Sequence, residues 1–138
     1  MDKKMFCFQC EQTVGCAGCT GNAGVCGKKA DTARLQDELT GALIGLARAV
    51  DSTTAISKRT GQVIIEGLFT TVTNVNFDDA SIENMIQKVR AEKERLVPDC
   101  SKCQSSCGKT GEYDMQQLWN ANEDIRSLKS LILFGIRG

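Results

Sequence analysis

The stretch from Met5 to Lys29, MFCFQCEQTVGCAGCTGNAGVCGKK, constrains the chain most, because it concentrates thiols and glycine in one short segment. Five of the eight cysteines fall within twenty residues, and glycine recurs at every third position from Gly15 to Gly27. Glycine reaches positive φ angles and leaves backbone N–H groups exposed, which suits a loop wrapped around a compact object. Three kinds of site fit such a loop: a disulfide framework, a zinc site and an iron–sulfur cluster.

A disulfide framework is the least favoured of the three. An even number of cysteines fits one, but Cys7/Cys10 and Cys16/Cys19 are C-x-x-C pairs, which bind soft metals better than they staple a fold. The first four residues lead directly into the cysteine cluster without an apolar signal core, so the sequence predicts a cytoplasmic protein. Structural disulfides are rare in that reducing compartment.

The composition narrows the classes of function. Lys plus Arg and Asp plus Glu number 17 each, so the charge indicates neither nucleic acid nor a membrane surface as a partner. Apolar runs without glycine, such as Leu131 to Phe134, are at most four residues long, which is too short to span a bilayer. The sequence has no histidine, which rules out a Cys–His nucleophile and a Cys/His zinc finger. Any metal site is therefore built from thiolates, alone or with oxygen ligands.

Hydrophobic periodicity predicts an all-α fold, a small helical bundle preceded by the glycine-rich cysteine loop. The first helix is expected from about Thr32 to Val50, with Asp31 or Thr32 as its cap. Gly41 and Gly45 lie four apart on it and permit close packing against another helix. The polar segment 51–61 breaks the pattern. The predicted apolar stripe of this helix is Leu35, Leu39, Leu43, Leu46 and Val50.

Two helices are expected in the middle of the chain. The first, 62–75, frays near Asn74 and competes with a strand, because TTVTNV favours strand by composition. The next follows Phe77, with Asp78 or Asp79 as its N-cap and Pro98 at or just past its end. Its charged run 90–95 is interpreted as a solvated face. The buried stripe of this helix is predicted to be Ile82, Met85, Ile86 and Val89.

The last helix, at about 122–137, is the most apolar. A helix apolar on so much of its surface needs partners on several sides, so we expect either a fragment of a longer protein or a homodimer through this helix. Its stripe is Ile125, Leu128, Ile132 and Ile136, widened by Leu131, Leu133 and Phe134. The predicted organisation is a cluster-binding loop at 1–29, a helical bundle at 30–97, a Cys-containing loop at 98–121 and a C-terminal helix at 122–138.

Spacing alone leaves zinc and iron–sulfur both open. Two zinc-binding C-x-x-C pairs usually lie about fifteen to twenty residues apart, whereas five residues separate the early pairs here. Zinc could still combine one early pair with Cys100 and Cys103. A cubane cluster can be wrapped by one glycine-rich loop whose N–H groups donate to its sulfides. Cys100, Cys103 and Cys107 together are one thiolate short of a closed tetrahedral set, so we assign them no site.

A family resemblance distinguishes the two metals. MFCFQCEQT, GCT and GVCGK, followed by LQDEL, resemble the amino terminus of the hybrid cluster proteins, also called prismane proteins or hydroxylamine reductases. TTVTNVNFDD and the C-terminal YDMQQLWNANEDIRSLKSLILFGIRG are similar to that family too, so the resemblance covers nearly the whole chain. It implies a helical first domain whose cysteines hold a [4Fe–4S] cluster, or [2Fe–2S] in members with a longer gap after the first pair. The motif maps onto Cys7, Cys10, Cys19 and Cys26, and Cys16 falls outside it. In this resemblance the short gap between Cys10 and Cys19 implies the cubane form.

The resemblance also implies a function. Full-length relatives resemble reductases of hydroxylamine or nitric oxide, in which the N-terminal cluster passes electrons to a hybrid iron–sulfur–oxygen cluster held by later domains. This chain would be the electron-transfer part without the catalytic hybrid cluster, working with an electron donor protein and the remaining domains of the parent enzyme. The alternative is a zinc- or cluster-stabilised structural module without a redox role.

Overall fold

The computed structural model describes residues 5–10, 18–50, 55–72, 77–97 and 111–137. These segments contain no strand, only the two isolated antiparallel bridges Cys7 with Cys19 and Ala23 with Lys29. The predicted all-α fold is confirmed. The described helices are α1 (Ala30–Ala49), α2 (Lys58–Thr70), α3 (Asp79–Leu96), α4 (Met115–Trp119) and α5 (Glu123–Arg137).

The main core lies between α1, α2 and α3. The four leucines of the stripe predicted for α1 are each at most 6% exposed, and the stripe predicted for α3 is buried as well. Fully burying one such side chain stabilises the fold by about 1.5–3 kcal/mol, so this cluster holds the three helices together. Its buried members are Leu35, Leu39, Ala42, Leu43, Leu46, Val63, Ile82, Met85, Ile86 and Val89.

The helix ends only partly follow the prediction. α1 begins at Ala30, and its N-cap Lys29 makes no side-chain cap, so the caps predicted at Asp31 and Thr32 are wrong. The Thr32 hydroxyl instead donates to Oδ1 of Asp79 at 2.6 Å and ties α1 to α3. The N-cap predicted at Asp78 is confirmed, because its side chain accepts from the N–H of Ala80.

The second helix begins earlier than predicted. Ser57 caps α2 by accepting from the N–H of Thr60 at 3.1 Å, so residues 58–61, which we expected to break the pattern, form its first turn. A serine cap stabilises a helix start even where the first turn is polar. α3 ends at Leu96, before Pro98, and both Pro98 and the predicted fraying point Asn74 lie outside the described residues.

The charged run on α3 is not simply a solvated face. Glu92 is 1% exposed and accepts from the Thr60 hydroxyl at 2.7 Å, from Arg59 at 3.0 Å and from Arg95 at 2.6 Å. Arg95, followed by Thr60 and Arg59, lowers the pKa of Glu92 to about 2 against the opposing effect of burial. Glu92 lies three residues after the buried Val89, so the helical period places it over α2. The prediction failed because it assigned every charged residue of the run to solvent.

Gly41 and Gly45 permit a close approach, as predicted, but the approaching chain is not a helix. The N–H of Tyr113 donates to the carbonyl of Gly41 at 3.2 Å, and an added Cβ at Gly41 would lie 2.2 Å from the carbonyl oxygen of Tyr113. At Gly45 the added Cβ would meet the Cα of Glu112 at 3.3 Å. The two glycines therefore hold the segment before α4 against α1.

Replacing Gly41 with alanine is expected to lower the free energy of unfolding by roughly 1–3 kcal/mol, because a backbone carbonyl must move to make room. Gly135→Ala is the matched control on α5: apart from the neighbouring residues and backbone of its own helix, no atom of the described segments lies within 4 Å of its added Cβ. That change should raise helix stability by about 0.5–1 kcal/mol. Urea unfolding followed by circular dichroism measures both, and equal midpoints for the two variants would contradict the close approach at Gly41.

The C-terminal part contains α4, which was not predicted from the sequence, and α5, which was. α4 is a single short turn capped by Asp114, whose side chain accepts from the N–H of Gln116 at 2.9 Å. α5 confirms the predicted last helix, and its apolar stripe is largely exposed within the described residues: Ser130 is its buried residue. The exposed side chains are Ile125, Leu128, Leu131, Ile132, Phe134 and Ile136, which are 38–67% accessible. No described helix is both long and apolar enough to cross a membrane.

Candidate metal centre

Cys7 and Cys19 are joined by a pair of backbone hydrogen bonds within the cysteine loop. The N–H of Cys7 donates to the carbonyl of Cys19 at 3.0 Å, and the N–H of Cys19 donates back to Cys7 at 2.8 Å. Residues paired in this way lie directly opposite each other with their side chains on the same face. Both cysteines are buried with Met5 and Ala33. The backbone therefore brings together two thiols that are twelve positions apart in the sequence.

Cys26 lies on a turn that folds back beside this pair. The N–H of Gly27 donates to the carbonyl of Gly24, and Gly27 has a φ of 83°, a conformation that glycine adopts without strain. An added Cβ at Gly24 would lie 3.5 Å from Sγ of Cys26 and 3.3 Å from Cε of Met5. Since Met5 packs with Cys7 and Cys19, the turn carrying Cys26 lies against the same small cluster.

The four predicted ligands are described, and the remaining cysteines are not. Cys7, Cys10, Cys19 and Cys26 are free thiols, with Cys10 and Cys26 half-buried. No group of three Cys, Asp or Glu side chains among the described residues lies close enough to hold a metal ion. The structure thus pairs Cys7 with Cys19 but does not draw the four predicted ligands into one site. Outside the described residues lie Cys16, Cys100, Cys103 and Cys107.

Lys28 is a buried cation beside this pair, and the sequence analysis did not find it. Its side chain is 1% exposed. Its ammonium donates to Oε1 of Gln36 at 2.6 Å and to Oε1 of Gln9 at 3.1 Å, and it lies 3.8 Å from Sγ of Cys7. A buried ammonium is costly unless it is paired, so these contacts fix the position of the charge. Lys28 ends the GVCGK motif, but the motif assigned it no role, because lysine is usually exposed.

Asp37 connects the loop to α4. Its Oδ1 accepts from Nε2 of Gln9 at 3.2 Å, and its Oδ2 accepts from the indole of Trp119 at 2.8 Å. Burial raises the pKa of Asp37 to about 6, against the lowering effect of the hydrogen bonds from Trp119 and Gln9 and of the charges on Arg137 and Lys28. The sequence held a partial sign that α1 buries polar groups beside Asp37. Thr32, Gln36 and Thr40 follow one another at steps of four along α1, and all three are buried.

An aromatic cluster closes the other side of the loop. The rings of Phe6 and Phe8, which flank Cys7, lie 5.5 Å and 6.4 Å from the ring of Trp119. The guanidinium of Arg126 on α5 lies 5.5 Å from the Phe8 ring. This second core packs against the residues on both sides of Cys7. Its buried members are Met115, Leu118 and Trp119, with Phe6, Phe8, Ile44, Tyr113 and Leu133 packed against them.

The chemistry of this loop suits a soft metal centre. Burial raises the pKa of the Cys7 thiol, and the positive charge of Lys28 opposes that effect. A fixed cation beside a buried thiol stabilises the thiolate, which is the form that binds a metal. Iron–sulfur clusters are held by Cys thiolates and accept hydrogen bonds at their sulfurs, and this loop supplies free thiols for that role.

The chain is a helical protein with a thiol-rich amino-terminal segment. The model of the Prismane/CO dehydrogenase family matches residues 5–138. The chain belongs to this family, which agrees with the resemblance drawn from its motifs.

Individual relatives carry the name hydroxylamine reductase. The chain is 37% identical to the one from Clostridium perfringens over 155 residues, and the match covers 97% of this chain. It is 40% identical to the one from Thermodesulfovibrio yellowstonii over 156 residues, with the same coverage. The match to the one from Porphyromonas gingivalis is 37% identical and covers 100% of this chain. The chain spans about 28% of the length of each of these relatives.

Proposed function

We propose that this chain is an iron–sulfur electron-transfer module, with a [4Fe–4S] cluster held by Cys7, Cys10, Cys19 and Cys26. The observation that carries the proposal is the backbone pairing of Cys7 with Cys19, which sets two buried free thiols side by side in a glycine-rich loop. The cluster would supply one-electron transfer. The chain's own residues would ligate it, donate backbone N–H groups to its sulfides and exclude water.

Membership of the prismane family supports iron over zinc. Relatives of this chain are named reductases, and a reductase needs a route for electrons, which zinc cannot provide because it has no redox chemistry. We infer that an electron donor protein reduces the cluster and that the cluster passes electrons to a hybrid cluster in the remaining domains of the parent enzyme. A reducing compartment, the cytoplasm, would keep these thiols available.

Anaerobic purification tests the proposal directly. We expect a brown protein with about four iron and four sulfide per chain, and a broad visible absorption that dithionite bleaches. The chain should exchange electrons with a reduced viologen but not turn over hydroxylamine, since the hybrid cluster is proposed to lie in other domains. A colourless protein that contains zinc would contradict the proposal and would favour the second candidate.

The second candidate is a zinc- or cluster-stabilised structural module without a redox role. It is favoured by one observation: Cys7 and Cys19 lie in a buried cluster with Met5 and Ala33, so a bound metal would also fasten the loop to α1. A cluster that loads but resists dithionite and every viologen would support this candidate over electron transfer.

We further propose that α5 joins two copies of this chain. Six large apolar side chains of α5 are 38–67% accessible, and such a patch favours association. In the parent enzyme, further domains would cover the same face. Light scattering after size exclusion is expected to give a dimer at tens of micromolar, and Phe134→Glu should shift it to a monomer. A wild-type monomer, unchanged by the substitution, would show that the face needs no second copy.

A further inference from the structure

The buried ammonium of Lys28 has an unusual set of acceptors. Within the described part of the chain, its hydrogen bonds end on the amide oxygens of Gln9 and Gln36 and on the sulfur of Cys7. Neither amide carries a charge, so neither neutralises the cation at its point of contact. The charge of Lys28 also acts on the nearby carboxylate of Asp37, but no hydrogen bond between described residues joins the two groups, and a buried cation favours negative charge at the atoms that it contacts. The sulfur of Cys7 is the contact at which such charge can develop.

The two glutamines fix where this cation lies. Gln9 donates through Nε2 to Asp37 and accepts through Oε1 from Lys28, so the two charged partners determine the orientation of its amide. Trp119 in turn holds Asp37. A chain of hydrogen bonds therefore runs from α4 through Asp37 and Gln9 to the ammonium beside Cys7. Such a charge cannot swing into solvent, because the side chain is 1% exposed.

We propose that Lys28 is a positioning residue that raises the reduction potential of the cluster bound by Cys7. The inference rests on the proposed function. A cubane bound by four thiolates carries net negative charge, and that charge grows by one when an electron enters from the reductant. A fixed positive charge in a dry surrounding stabilises the reduced form more than the oxidised form. Lys28 therefore favours electron uptake.

A redox titration of the cluster-loaded chain tests this role. Lys28→Met removes the charge but keeps an unbranched side chain, and we expect at least a tenfold lower equilibrium constant for reduction, a fall of 59 mV for one electron. Lys28→Arg should stay near the wild-type potential. Lys29→Met is the control, because Lys29 neighbours Lys28 in sequence and is exposed. Iron and sulfide are measured on every sample, so the potential is read only from loaded protein.

Gln36→Glu gives an independent reading, because it places a carboxylate where Lys28 now donates at 2.6 Å. It should lower the potential with Lys28 still in place. Loaded Lys28→Met or Gln36→Glu protein at the wild-type potential would overturn the inference while leaving the cluster assignment intact. Loss of the cluster from all these variants, Lys28→Arg included, would assign Lys28 to folding alone and would also overturn it. Wild-type protein without iron and sulfide would instead refute the proposed function itself.

Discussion

Replacing Cys19 with serine is expected to abolish the proposed [4Fe–4S] cluster, with iron and sulfide falling from about four of each per chain to near zero. Cys19 is paired with Cys7 through backbone N–H and carbonyl groups, and serine leaves both of those hydrogen bonds available. The substitution therefore removes one ligand while the loop keeps its local geometry. An iron that loses its thiolate is open to solvent, and the cluster degrades or converts to a smaller form.

Cys16→Ser is the matched control, since Cys16 falls between Cys10 and Cys19 in the sequence but outside the predicted ligand set. It should retain full iron and sulfide and the same visible absorption. Serine variants of Cys7, Cys10 and Cys26 should behave like Cys19→Ser. If the cluster were lost from the Cys16 variant and kept in the Cys26 variant, Cys16 would replace Cys26 as the fourth ligand.

Local signals predicted the helices that bury their own apolar stripe. Leu39 and Leu46 on α1, and Ile82 and Val89 on α3, are each fully buried. A 3.6-residue period is a property of the segment itself, so it is visible without knowing the partner helix. The Asp78 cap is equally local. The C-x-x-C pairs are short-range patterns too, but the set of four ligands came from the family resemblance and stays a prediction.

Features that depend on distant partners were not predictable from local pattern. Trp119 and Asp37 are 82 positions apart, and nothing in either segment indicates their hydrogen bond. Lys28 was missed, and Glu92 was assigned to a solvated face. Both errors arise because a charged side chain is assigned to solvent unless its partner is known. For α5 the apolar composition predicted a need for partners on several sides, yet composition does not say which surface covers a helix.

Truncating Trp119 is expected to have the largest effect on folding. The indole is buried at 7% exposure between Phe6, Phe8 and α5, and it donates to Asp37. Trp119→Ala should lower the free energy of unfolding by about 3–5 kcal/mol, because it opens a cavity and removes a partner of a buried carboxylate. Phe69→Ala is the control: Phe69 is an aromatic residue on α2 that is 63% exposed, and its loss should cost no more than about 0.5 kcal/mol.

Trp119→Phe separates packing from hydrogen bonding. Phenylalanine keeps an aromatic ring beside Phe6 and Phe8 but removes the N–H that Asp37 accepts, so we expect an intermediate loss of about 1–3 kcal/mol. Because that hydrogen bond lowers the pKa of Asp37, the carboxyl should also titrate at a higher pH in this variant. Urea midpoints measured anaerobically rank the three variants, and carboxyl NMR follows the titration. If Trp119→Ala were no worse than Phe69→Ala, α4 would not be holding the cysteine loop in place, and the path of hydrogen bonds to Lys28 would lack its anchor.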